Sequence, residues 1–93
     1  MTKLEREKLC MQECHRLGWD FIGISNDGYS DIVAWHRSGD DTYGYHTYVN
    51  YNNGEKASFY NGVYNLSFTE LCSEVLDRIV KMTKKTIKEN KYA

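Results

Sequence analysis

Proline is absent from the 93-residue sequence, and with it any proline-rich linker or rigid spacer. No internal repeat or low-complexity tract divides the chain, whose length suits one domain, residues 1–93, with a single modest core. Long hydrophobic runs are missing too. The longest uncharged apolar stretch is a few residues, far short of the ~20 that a membrane-spanning helix needs, so no bilayer span is expected. The opening residues MTKLEREKL are charged where an export signal would be apolar. Three cysteines, an odd number, favour reduced thiols over a disulfide framework. A cytoplasmic location is the expectation.

Charge of one sign is also lacking, since the net charge is only −1. With 41% hydrophobic and 27% charged residues the composition is that of a globular domain rather than a disordered chain. The near-neutral total conceals a division. Residues 1–17 hold four basic and three acidic side chains, residues 18–66 two and six, and residues 67–93 six and four. The middle of the chain is acidic, the opposite of the basic stripe with which proteins grip phosphate.

No catalytic or metal motif stands out. Cys10 and Cys14 are four apart, a helical spacing and not the C-x-x-C knuckle of structural zinc. Both fall, with Cys72, on apolar helical stripes where a thiol acts as a small hydrophobe. His36 and His46 fall in neighbouring strand segments with side chains on opposite faces, unlike a catalytic pair. Asp27, Asp31, Asp40 and Asp41 sit in or beside turns without the alternating acids of a calcium loop. No cofactor, metal or enzymatic activity is expected.

What is abundant is tyrosine. Six of the eight lie in residues 42–64, TYGYHTYVNYNNGEKASFYNGVY, bent once at Asn53-Gly54. Asn-Gly between alternating aromatic runs is a strong hairpin signal, because both residues tolerate the positive φ of a type I′ turn. Upstream, residues 19–25 (WDFIGIS) and 30–37 (SDIVAWHR) flank a turn centred on Asp27-Gly28, and residues 38–41 (SGDD) make the next turn. Four strands joined by short turns predict an antiparallel meander in the order 1-2-3-4.

Helices are predicted at both ends. Thr2 and Glu5 fit a capping box, Leu4, Cys10, Met11, Cys14 and Leu17 form a stripe, and Gly18 is placed as a C-cap, so the first helix spans residues 2–17. Ser67 and Glu70 fit a second box before Phe68, Leu71, Cys72, Val75, Leu76, Ile79, Val80 and Thr83, with Ile87 at the fringe. The second helix therefore covers residues 68–87 and ends among lysines. The fold class is α+β, with element order α-β-β-β-β-α.

Closing each turn on its central pair assigns the faces. One would hold Ile22, Ile24, Val33, Trp35, His46, Tyr48, Ala57, Phe59 and Val63 as a core wall. The other would hold Trp19, Phe21, Ile32, Ala34, His36, Tyr43, Tyr45, Thr47, Val49, Tyr51, Tyr60 and Tyr64, aromatic and hydroxyl-tipped. Tyrosine suits half-buried strand positions, so the rings can simply build the sheet. Tyrosine with asparagine, aspartate, glycine and serine is also the composition of protein-binding loops, and a tyrosine-rich sheet can stack on single-stranded nucleic acid.

The helix-sheet-helix outline resembles the double-stranded-RNA-binding domain and a small toxin family built on it. The chain lacks their marks: the last helix opens with Ser67-Phe68-Thr69-Glu70 rather than a lysine run. Gly28-Tyr29-Ser30-Asp31 holds no histidine where the toxins have one, so no residue role carries over. In size, acidic sheet and lack of proline or a catalytic set, the chain resembles small phage- and plasmid-made inhibitors of host defences, such as anti-CRISPR proteins. That resemblance implies a non-enzymatic binding module that occupies a basic surface of a host nucleic-acid-handling or defence protein. Tyr43, Tyr45, Tyr51, Tyr60 and Tyr64 would be the anchors and Asp40 and Asp41 the rim charges. The alternatives are single-stranded nucleic acid held by the sheet and the lysines of the second helix, or a homodimer closed by the aromatic face.

Overall fold

The computed structural model describes the backbone of residues 1–92 and the side chains of residues 1–80. Element order is α1 (Lys3–Leu17), β1 (Asp20–Asn26), β2 (Asp31–Arg37), β3 (Thr42–Asn50), β4 (Ser58–Leu66) and α2 (Phe68–Tyr92). The strands form one antiparallel sheet in the order β1-β2-β3-β4, the α+β arrangement expected from the sequence. Both capping boxes form. Thr2 Oγ1 accepts from the Glu5 N–H at 3.1 Å, Ser67 Oγ from that of Glu70 at 3.1 Å, and each glutamate reaches back to its cap residue. Gly18, at φ 79°, ends α1 in the left-handed conformation. No helix among the described residues is long and apolar enough to cross a membrane.

The two helices cover opposite faces. Successive residues of β2 belong to different cores: Val33 and Trp35 pack with Cys10 and Cys14 of α1, while Ile32 packs with Tyr45, Leu66 and Leu71 of α2. The sheet is thus the middle of three layers, and β2 is buried on both sides. This corrects the expectation of one core wall and one open aromatic face. Trp19, Phe21, Val49 and Tyr51 join the α1 side, whereas Val63 joins the α2 side.

Three irregularities depart from the register that closing each turn on its central pair would give, and a further change of face falls between His46 and Val49, opposite Asn61 at φ 59°. A bulge at Ile22, between the pairs Phe21↔Trp35 and Gly23↔Ala34, turns Phe21 to the α1 side. The β3–β4 connection is wider than a two-residue turn: Asn52, Asn53 and Gly54 all have positive φ, and Asn50 pairs with Ser58. Tyr48 therefore faces Tyr60 instead of Phe59. Asn65, at φ 61°, supplies a third offset, between the pairs Tyr45↔Val63 and Tyr43↔Leu66.

In α1 the buried face is narrower than expected. Cys10 and Cys14 are fully buried, but Leu4, Met11 and Leu17 are exposed. The helix is turned so that Arg6 reaches Asp31, Nε to Oδ2 2.8 Å. At the other end α2 runs to Tyr92, past the expected end near position 87, where the sequence holds neither glycine nor proline to stop it. The side chains of Thr83, Ile87 and the lysines from 81 onward lie outside the described residues.

Candidate protein-binding surface

As the last strand of the sheet, β4 has one free edge. Its residues Tyr60, Asn61, Gly62, Tyr64 and Asn65 are exposed, Tyr60 at 50% and Tyr64 at 43%. Asn61 and Asn65 hold φ of 59° and 61°. Left-handed residues every four positions break the flat row of N–H and C=O groups, so this edge is a poor template for a further strand. It presents rings and carboxamides instead.

Tyr64 is held from below by a buried relay. Trp35 Nε1–H donates to His46 Nδ1 at 3.1 Å, and His46 Nε2 lies 3.1 Å from Tyr64 Oη. The indole can only donate, so Nδ1 must accept, Nε2 carries the proton, and His46 is neutral. Burial pushes its pKa below the ordinary value. Trp19, which follows the α1 cap, stacks on Trp35 at 3.9 Å and 14° and closes the aromatic cluster.

At the adjoining end of the sheet the β2–β3 turn carries the two acids singled out in the sequence. Asp40 accepts from Arg37, Nη2 to Oδ2 2.7 Å, and from Thr42 Oγ1 at 2.6 Å. Those bonds, Arg37 first, hold its carboxyl down to about 2. Arg37 also donates to Asn65 Oδ1 at 2.6 Å, which ties the turn to the end of β4. Asp41 lies 2.8 Å from His36 Nε2, and Asp20 lies 3.2 Å from His36 Nδ1. Carboxylates only accept, so both ring nitrogens donate and the imidazole is cationic. The hydrogen bond to Asp41, then that to Asp20, raises its pKa.

The two histidines, on opposite faces as the sequence implied, should therefore titrate on opposite sides of 6.5. Unfolded chains protonate at His46 before the folded protein does, so its share of stability falls as pH drops below about 6.5. His36 acts with the other sign, adding stability below that pH and losing it as pH rises through its folded value. Imidazole ¹⁵N shifts read both: His46 should stay the Nε2–H tautomer through mild acid while His36 is protonated. The reverse order would disprove these assignments.

Of the seven residues expected to form a binding site, four are exposed: Asp40 and Asp41 in the β2–β3 turn, and Tyr60 and Tyr64 on β4, where Tyr64 leans on the α1-side aromatic cluster and Tyr60 on Tyr48. Tyr43 sits half-buried between His36 and Phe68, at ring distances of 4.6 and 5.4 Å. Tyr45 and Tyr51 do not belong to the surface. Tyr45 is 1% exposed beneath α2, its hydroxyl 3.3 Å from Glu74 Oε1 and its ring 5.7 Å from the Arg78 guanidinium carbon. Tyr51 packs on the α1 side and donates to Asp31 Oδ2 at 2.5 Å. Missed by the sequence reading were Tyr48, which is exposed and 5.9 Å from Tyr60, and the left-handed asparagines. A second Asn-Gly pair at 61–62, inside a strand pattern, was the available signal.

Burial raises the thiols of Cys10 and Cys14 to about 11 and about 12, so neither is a nucleophile at neutral pH. Among the described residues no cluster of three or more potential ligands could hold a metal ion. With a helix on each face, the sheet offers no open four-strand platform for stacked bases. No protein-family model, curated protein or solved structure matches the chain.

Proposed function

We propose that the protein is a non-enzymatic binding module whose working surface is the β4 edge with the β2–β3 turn. Its target would be a basic surface on another protein, of the kind that nucleic-acid-handling and defence proteins present. What supports this is the exposure of Tyr60 and Tyr64 beside Asn61 and Asn65 on a strand edge unsuited to strand addition. Rings with few rotatable bonds give contact area at low entropic cost, and carboxamides adapt their hydrogen bonds to a partner. The sign of the charge fits. Although Asp40 and Asp41 are bonded within the protein, residues 18–66 hold six acids against two bases. A small acidic inhibitor of the phage or mobile-element type is the class of protein that combines these traits.

Tagged protein should retain a partner protein from bacterial lysate through nuclease treatment, with binding weakened by Tyr60→Ala. That ring contacts Tyr48 and not the core, so the fold should survive its removal. An anchor of this type costs more than ~1 kcal/mol of binding when truncated, roughly a fivefold or larger loss of affinity. Loss of every partner on nuclease digestion would replace this proposal with nucleic-acid binding.

A further inference from the structure

At the edge of the sheet opposite β4, α2 leaves part of its own face uncovered. Between β1 and α2 runs a groove of about 310 Å³ lined by Ile22 and Ala34 on the sheet and Phe68, Cys72 and Leu76 on the helix. Phe68, Cys72, Leu76 and Val80 are each four apart, so they form one ridge along the helix. The ridge is apolar and open: Leu76 is 59% exposed, Val80 46%, and Ile22 across the groove 46%. Neighbouring exposed side chains of this size form a patch that soluble proteins normally cover.

The occupant is indicated by the charges beside the ridge. Glu70, Asp77, Lys84 and Lys91 follow one another at intervals of seven, so they mark a single flank of the helix in the order acid, acid, base, base. Read antiparallel against itself, that flank is self-complementary. An axis between positions 80 and 81 sets Asp77 level with Lys84 of the second copy and Glu70 level with its Lys91, and each pairing occurs twice by symmetry. Read in parallel, acid would meet acid and base would meet base. Next to this flank, Leu76, Val80, Thr83 and Ile87 recur at the 4-3-4 spacing of a helix-helix seam. The helix is 25 residues long, and among its described side chains those packed into the sheet core are Leu71 and Val75, in its first turns.

We propose that α2 pairs with α2 of a second copy of this chain as an antiparallel two-fold dimer. The lysine-bearing half of each helix then lies along the ridge from Phe68 to Val80 of the other. The surface is separate from the β4 edge, so the dimer would present two such edges and its test is independent of the proposed partner.

Sedimentation equilibrium of the intact protein should give twice the 10.9 kDa chain mass. Leu76→Lys, at an exposed position, should leave the circular dichroism unchanged and yield the monomer. Lys84→Glu should weaken the dimer by about fivefold, and adding Asp77→Lys should restore it by reversing that pair on both copies, with the Glu70 cap left intact. A purely structural role for these residues predicts no such rescue. A wild-type monomer up to the solubility limit, with the groove left for a different protein, would overturn the proposal. So would a dimer indifferent to Leu76→Lys, or an Asp77–Lys84 charge swap that fails to restore association.

Discussion

Asp31→Ala should lower folding stability by about 3–5 kcal/mol, the usual cost of stripping one partner from a buried ion pair. The carboxylate is buried between α1 and the sheet and accepts from three side chains: Arg6 Nε at 2.8 Å, Asn26 Nδ2 at 3.1 Å and the Tyr51 hydroxyl at 2.5 Å. Tyr51 in turn lies 3.7 Å from Cys10 Sγ, so the network reaches the middle of α1. Alanine would leave the Arg6 Nε–H and the Tyr51 hydroxyl without their carboxylate acceptor, and α1 would lose its ion pair to the sheet. Arg6→Leu combined with Asp31→Leu should cost less than Asp31→Ala alone, because no charge is then left unpaired. Urea unfolding of the three proteins measures this, and a loss under 1 kcal/mol for Asp31→Ala would mean that the pair is not formed.

Acid should act through the same group. Burial pushes the Asp31 carboxyl up, but the hydrogen bonds from Tyr51, Asn26 and Arg6 outweigh it and hold the group below its ordinary value. The unfolded chain then takes up the proton first. The contribution is full above about 3.9 and is lost as pH falls through the lower folded value. Asp31→Asn should flatten that part of the acid-unfolding curve.

Trp35→Ala should cost a similar 3–5 kcal/mol, and its size should depend on what stands at position 44. The Trp35 ring is fully buried, stacked under Trp19, and its N–H sets the tautomer of His46. On its other side lies Gly44 in β3. A Cβ at that position would fall 2.4 Å from Trp35 Cη2 and 2.5 Å from the Val63 carbonyl oxygen. Gly44→Ala alone therefore forces the indole or β4 to move, at about 1–3 kcal/mol. In the Trp35→Ala background the ring is gone and only the clash with Val63 remains, so the second substitution should be milder there. A double-mutant cycle tests the coupling, and strict additivity would show that the indole does not occupy the space above Gly44.

The order of elements was legible because its signals are local. Thr2 with Glu5, Gly18, and Ser67 with Glu70 mark helix ends within four residues, and the short turns leave few ways to join four strands except as a meander. The faces were not legible, since each depends on counting residues across a turn. The bulge at Ile22 turns the residue before it, Phe21, to the other side, and Asn52, by entering the β3–β4 connection, shifts the pairing of the residues after it. Tyr51 was therefore placed on the wrong face, whereas Tyr45 was grouped with Ile32 and Ala34 as found, and it is α2 that covers that face. Tyr60 and Tyr64 stay exposed because β4 is an edge, a property of the whole sheet rather than of their neighbours. Asp40 and Asp41 were placed in the right turn, but their bonds to Arg37 and His36 join residues whose spacing alone carries no pairing signal.

The most direct test of the β4 edge as the working surface is amide hydrogen exchange with and without the captured partner protein. Binding at the edge should slow exchange from Tyr60 to Asn65 and in the Asp40–Asp41 turn while leaving α1 unchanged. Protection confined to α1, or to α2 beside β1, would contradict the account and move the site to another side of the sheet.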